Sequence, residues 1–364
     1  MRYNSVGSIL EKTQLHQRSS SGTSWQEQKK TTYQQAYVYS QEQPHAAIHI
    51  GNQTYSYDSN GNQTGWTDDK SGQRRKIFWD EEDRIRAIQD NGATFHYVYD
   101  AQGQRVLKGH SSGQNLYVNA SQKAGSGNMS NYTVYVNPYL VLRSGGYTKH
   151  YFVESQRIVS KLGSGWDDSG KGPLETTKAG EGKVNYENKH QQLSDAIVKN
   201  LKFLGHDGAI LTAGRSGKVP PGQLNTKGTG GGGSEPSTST VEAFQYYYHP
   251  DHLGSTSYIT DASGEVYQHL EYFAFGETFV EEHSNTNRTP YLYNGKELDQ
   301  ETGLYYYEAR YYDARTSIFV AADPHSENYP GWTPYKYCAN NPINIRLIFS
   351  IGIEFKLFSM RSRV

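Results

Sequence analysis

The residues best equipped for chemistry lie in YYYHPDHLGSTSYITD, Tyr246 to Asp261, where His249, Asp251 and His252 stand between a tyrosine run and a Gly-Ser-Thr turn. Two imidazoles and a carboxylate would hold a metal if they converged with a fourth ligand. His249 and His252, however, are three apart across a turn that contains Pro250, a spacing with no preferred convergence. The same residues read as a tight turn in which Asp251 accepts backbone N–H groups and Gly254 supplies a positive φ. Gly228-Thr-Gly230-Gly-Gly-Gly233 matches the spacing of a dinucleotide-binding loop, but no strand precedes it and Ser-Glu-Pro follows where a helix should open. Asn62-Gln-Thr64 and Asn131-Tyr-Thr133 would be glycosylation acceptors only in a eukaryotic secretory setting. None of these patterns calls for a cofactor.

The turn reading extends along the chain. Tyr57-Asp58-Ser-Asn-Gly61, Trp79-Asp80-Glu-Glu-Asp83 and Tyr99-Asp100-Ala-Gln-Gly103 recur at spacings of 22 and 20 residues. In each, an alternating aromatic segment such as TYSYD or TFHYVYD predicts a strand, and the Asp-led tetrapeptide predicts a hairpin turn. The next strand then begins, at Gln104–Leu107 or Arg84–Ile88. Arg2 to Thr13 reads as one more unit cut at its start, so the chain is expected to enter a repeat array in its middle. Tyr258 to Gly264, with Asp261 at the turn, follows the same grammar.

Composition fits such an array. The 364 residues include 31 Tyr against 12 Phe and 5 Trp, which predicts half-buried aromatics whose hydroxyls stay in contact with water. Lys plus Arg, at 36, balances Asp plus Glu, at 37, so no basic field argues for a nucleic-acid partner. The single cysteine, Cys338, excludes an intrachain disulfide framework. The first residues have no apolar h-region, so no signal peptide is expected there. The apolar stretch from Ile345 to Met360 is broken by Arg346, Glu354 and Lys356 and is too short for a membrane span.

These patterns divide the chain into a YD-repeat β region (1–162), a Gly/Ser/Lys-rich insertion (163–240), a second motif-rich region (241–345) and an apolar tail (346–364). Within the insertion, Leu193, Ala196, Ile197, Leu201 and Leu204 predict a short amphipathic helix near 186–204, ended by Gly205.

The YD units, together with YYYHPDHLGSTSYITDASGEVYQHLEYFAFGE, PYLYNGKELDQETGLYYYEARYYDARTSIFVAADP and YPGWTPYKYCANNPIN, resemble the rearrangement-hotspot (RHS) family. Residues 246–344 resemble its repeat-associated core domain. The resemblance rests on His249, Asp251, His252, Gly254, Gly276, Gly295, Lys296, Glu297, Gly303, Tyr306, Arg310, Tyr312, Asp313, Asp323 and Pro324. It implies a mainly β fold in which YD strands spiral into a shell, here partial, that a core domain plugs and that encloses a C-terminal toxin.

The resemblance also implies self-cleavage by an aspartyl-protease-like pair, since two close carboxylates share a proton and divide into acid and base. Asp299, in Gly295-Lys-Glu-Leu-Asp299, best matches one family catalytic aspartate, with Leu298 where toxin-complex members tend to carry Arg. Asp313 and Asp323 are candidates for the second by proximity in sequence, and all three aspartates also read as turn caps.

After Asn344, where family members continue to D-P-x-G, this sequence gives Ile345-Arg346-Leu347. The expectation is therefore a structural scaffold fragment of a secreted or surface polymorphic toxin used in bacterial competition, without enzymatic activity and without its toxin. The alternation of Leu347, Phe349, Ile351, Ile353, Phe355 and Leu357 fits either a closing strand or a frameshifted end. Expected partners are the toxin domain of full-length relatives and other shell segments pairing with open sheet edges. A surface adhesin binding glycans through its tyrosines is the alternative, and an active autoprotease the third reading.

Overall fold

The computed structural model of the chain describes residues 1–19, 25–111, 129–143, 146–164, 244–284, 288–346 and 356–357. The helix expected near 186–204 lies outside the described residues, as does nearly all of the insertion. The mainly β expectation holds: 18 strands form one antiparallel sheet. It is a meander in which each strand pairs with the next, from Arg2–Tyr3 and Ile9–Gln14 through Arg105–Ser111 to Thr278–His283. A short hairpin, Gln17–Ser19 with Trp25–Glu27, leaves the sheet between Ile9–Gln14 and Tyr33–Tyr39. The insertion springs from between two paired neighbours, because Gln156–Ser164 bonds directly to Phe244–Pro250.

One five-residue turn recurs along an edge of this sheet. At Asp58 the first-residue N–H donates to Asn62 O, Gly61 N–H donates back to Asp58 O, and Asp58 Oδ1 accepts from the N–H groups of Asn60 and Asn62. Asp80, Asp100, Asp251 and Asp261 repeat every one of these bonds, and Asn4 does so in the amino-terminal unit. The fourth residue is left-handed in all six, with φ of 83° at Gly61 and 57° at Asp83. A short carboxylate that reaches its own backbone two and four residues on makes this turn, and glycine makes its fourth position cheap.

The aromatic before the aspartate has a different task. Tyr57, Trp79 and Tyr99 donate to the carbonyls of Ala47, Gln63 and Ile85, each the first residue of the preceding strand. Tyr39 and Tyr272 do the same to Ile9 and Thr256. Asp58, Asp80 and Asp100 thus close their own hairpins while the aromatic beside each ties that hairpin to the one before.

The ends of the meander face each other. Alternate residues Lys12, Gln14, His16 and Arg18 all point at the last hairpin. Lys12 Nζ lies 3.3 Å and Gln14 Nε2 3.0 Å from Glu277 Oε2, which also accepts from Tyr33 OH. His16 packs between Phe273 and Phe279, with ring centres 5.5 and 4.6 Å away, and Arg18 lies 3.9 Å from Glu282. No ladder crosses this seam among the described residues; side chains alone join the edges. The expectation of open edges rested on three or four visible YD units, whereas the degenerate remainder of the array supplies strands enough to bring both edges together.

Within the curve sits a four-stranded sheet, Glu297–Asp299, Leu304–Tyr307, Arg310–Asp313 and Ile318–Phe319. Its neighbours come from around the large sheet. Lys12 Nζ donates to Ala314 O, Tyr37 OH to Thr316 O, Tyr335 OH to Gly61 O, Arg75 Nη2 to Thr302 O and Tyr312 OH to Phe275 O.

The core between them corrects one expectation. Tyr305, Tyr307, Tyr312 and Tyr337 are at most 2% exposed and pack with Phe319, Leu270 and Tyr293. Their hydroxyls are not wetted: Tyr305 donates to Gly276 O, and Tyr307 and Tyr337 bond each other and Asn294. Protein acceptors replace water, so a tyrosine-rich chain builds a dry core.

Candidate functional site

The small four-stranded sheet meets the large sheet in a buried cluster of charges. Asp299 is 0% exposed and Arg105 4%. Arg105 Nη1 lies 2.7 Å from Asp299 Oδ2 and Nη2 lies 2.9 Å from Glu297 Oε2. Lys108 Nζ bridges the same acids, at 2.8 Å from Asp299 Oδ1 and 3.3 Å from Glu297 Oε1. Tyr135 OH donates to Glu297 at 2.6 Å, and Arg105 stacks on the rings of Tyr306 and Tyr135, 4.2 and 4.9 Å from their centres.

Local backbone geometry places these groups. Glu297 and Asp299 are two apart in one strand and therefore share a face. Arg105 and Lys108 are three apart, which in a regular strand would put them on opposite faces. Their strand is bulged: Val98 pairs with Leu107 but Tyr99 pairs with Arg105, leaving one extra residue. The bulge turns both cations toward Glu297 and Asp299.

Charge complementarity outweighs burial. Burial raises the Glu297 carboxyl, yet Arg105, Lys108 and the Tyr135 hydroxyl hold it down to about 2. Burial would lower Arg105 and Lys108, and the two carboxylates raise both. The cluster is a neutral quartet of two cations and two anions. The acid that shares both cations with Asp299 is thus held below the usual carboxylate range.

The other two aspartates stand elsewhere. Asp313 Oδ1 accepts from the N–H groups of Arg315 and Thr316. It is in register with Leu304, itself in register with Asp299, so two strand spacings, about 10 Å, separate the backbones. Asp323 caps His325 N–H and pairs with Arg310 Nη2 at 2.9 Å. Pro324, next to it, is exposed.

His249 and His252 go separate ways, the first to Thr260 Oγ1 at 3.0 Å and the second to Ile343 O at 3.1 Å. Gly254, Gly276, Gly295 and Gly303 all have positive φ. At Gly276 a Cβ would lie 2.5 Å from the Tyr293 ring, so no larger residue fits. Lys296 pairs with Glu308 at 2.9 Å, Tyr306 accepts from Arg105 N–H, and Tyr312 lies in the dry core.

Sequence reading missed Arg105, Lys108 and Tyr135. The one local signal was Arg105 itself, a charge directly ahead of Val106 and Leu107, whose partner lies 194 positions away.

No protein-family model matches the chain. Over 272 residues it is 27% identical to tRNA3(Ser)-specific nuclease WapA of Bacillus spizizenii, covering 71% of this chain and 11% of that protein. Over 112 residues it is 33% identical to toxin subunit YenC1 of Yersinia entomophaga, covering 30% of this chain and 11% of that protein. The crystal structure of TcdB2-TccC3 aligns with a TM-score of 0.47 at 15% identity, covering 88% of this chain and 16% of that one. The chain thus spans 11% of the length of these two curated relatives.

Proposed function

We propose that the chain is an RHS/YD-repeat shell-like protein that serves as wall and plug in a secreted or cell-surface toxin, closing off the toxin polypeptide that follows it in longer relatives. The observation that carries this reading is the embrace of the core domain by the sheet. The buried quartet of Arg105, Lys108, Glu297 and Asp299 fixes one side, and the seam at Lys12 and Glu277 fixes the other. An array held on both sides in this way is a container wall with its stopper in place, and its own role is structural rather than enzymatic.

The test is shielding. A small ribonuclease domain fused after the chain should be tolerated by a bacterial host that the free ribonuclease kills. Equal killing by fused and free ribonuclease would sink the wall-and-plug reading.

A second reading, self-cleavage, is supported by the placement of buried Asp299 on the same strand face as Glu297. In that reading Asp299 acts in the cut and the surrounding cations hold it in place. Two fragments from the purified chain, restored to one intact band by Asp299→Asn, would establish it; one intact band in both proteins would exclude it.

A further inference from the structure

A cleft of about 550 Å³ opens beside the charge quartet, lined among others by Phe152, Arg157, Tyr248, Tyr291, Lys296 and Glu297. The acids that line it already have donors. Glu297 takes Arg105, Lys108 and Tyr135, Glu308 takes Lys296, and Asp100 caps its own turn. Arg157 differs from every other cation there. Among the described residues it has no ion-pair partner, its Nε is buried without a hydrogen bond, and Nη1 makes one long bond of 3.5 Å to Gly295 O. Its guanidinium is held flat by aromatics, 3.3 Å from the centre of the Tyr291 ring and 5.0 Å from that of Phe152.

The electrostatics of the neighbourhood agree. Burial, then Arg157 and Arg143, push the His150 imidazole down to about 2. The same two arginines oppose the rise that burial imposes on Tyr291, which still reaches about 12. Glu297 acts on both rings in the opposite sense, yet it is already bonded to Arg105, Lys108 and Tyr135, and Arg157 remains a cation with no ion-pair partner among the described residues, beside the rings that would flank a ligand.

We infer that the cleft binds a peptide carboxylate, seated on the Arg157 guanidinium between Tyr291 and Phe152. A planar fork of N–H donors matches a carboxylate, and prior stacking lowers the entropy lost on binding. Aromatic walls suit the backbone and apolar side chains of an extended segment. The volume lies within the range of small-ligand pockets, about 300–1,000 Å³, which admits a few residues of extended chain and excludes a folded domain. The carboxylate comes from an acidic side chain within a chain or from a carboxyl terminus, and both present the same two oxygens. The inference stands apart from shielding and from self-cleavage, since it requires neither a cargo nor a cut.

Three tetrapeptides of otherwise equal sequence test it by calorimetric titration of the full chain. One has an internal glutamate and blocked ends, one a free carboxyl terminus, and one no charge. At least one charged peptide should bind tenfold or more tightly than the neutral one, and the tighter of the two identifies the source. Arg157→Gln should lose that tenfold preference and Arg157→Lys should regain only part of it. Equal binding of the neutral peptide, unchanged affinity in Arg157→Gln, or no saturation by either charged peptide at millimolar concentration would overturn the inference. If Arg157→Gln does not fold, the salt dependence of the wild-type protein decides: charged-peptide affinity should fall several-fold from low to high NaCl, and an unchanged Kd would overturn the assignment.

Discussion

At the scale of single residues, the charges that join the small sheet to the large one make folding sensitive to acid. Glu297 titrates at about 2 in the folded chain against 4.5 when unfolded. Its contribution to stability is complete above the unfolded value and is lost as pH falls through the folded one. His150 acts earlier. Its folded value is about 2 against 6.5 unfolded, so the unfolded chain takes up a proton first, and stability declines as soon as pH drops below 6.5. Urea midpoints measured from pH 7 to pH 4 should fall steadily, and His150→Gln should flatten the curve above pH 4.5; an unchanged slope would remove His150 from this account. Breaking the quartet at neutral pH is the harsher test. Asp299→Ala leaves buried Arg105 with Glu297 as its one acid and Lys108 with Glu297 and the more distant Glu301, at a cost of about 3–5 kcal/mol in urea unfolding. A loss under 1 kcal/mol would mean that the site is wetter than its burial indicates.

At the scale of elements, the five-residue turn was legible because its chemistry is local. Asp100 and Gly103 close a turn with bonds that span four residues, and the same letters read the same way at Asp58 and Asp251. What the aromatic before the aspartate does was not legible, since the acceptor of Tyr99 is Ile85 O, a carbonyl on another strand that no sequence pattern marks. The distinction predicts two classes of glycine. Gly103 has φ of 79° and open space where a methyl group would stand, so Gly103→Ala should cost only the left-handed strain of about 1–2 kcal/mol. Gly61 has the same conformation, but its Cβ would lie 2.7 Å from Tyr335 Oη, the hydroxyl that docks the core domain on Gly61 O. Gly61→Ala should therefore cost more than Gly103→Ala and should raise hydrogen exchange in 333–337 as well as in the turn. Equal melting temperatures for the two variants would show that the core domain does not depend on this contact.

At the scale of the whole molecule, a sheet that closes by side chains opens more easily than one that closes by a ladder. Within the meander each boundary carries a row of backbone bonds, and only at the seam does closure rest on Lys12, Gln14, Tyr33, His16 and Arg18 meeting Glu277, Phe273, Phe279 and Glu282. None of this was legible from the sequence. Lys12 looks like one polar residue of an alternating strand, and nothing local says that its ammonium is buried against a carboxylate 265 positions away and against the carbonyls of Ala314 and Arg315. Burial lowers the Lys12 pKa while Glu277 foremost, and Asp313 after it, raise it, so Glu277 is the acid that most holds the charge on the lysine. Glu277→Gln removes the charge, keeps the shape, and leaves a buried ammonium with carbonyls alone. Hydrogen exchange should then rise at 12–19 and 278–283 together, while 93–111, walled by ladders on both sides, keeps its protection. Uniform loosening of all strands would mean that the sheet unfolds as one unit and that the seam is not where it parts; no change at either edge would mean that the aromatic clamp on His16 suffices to hold it shut.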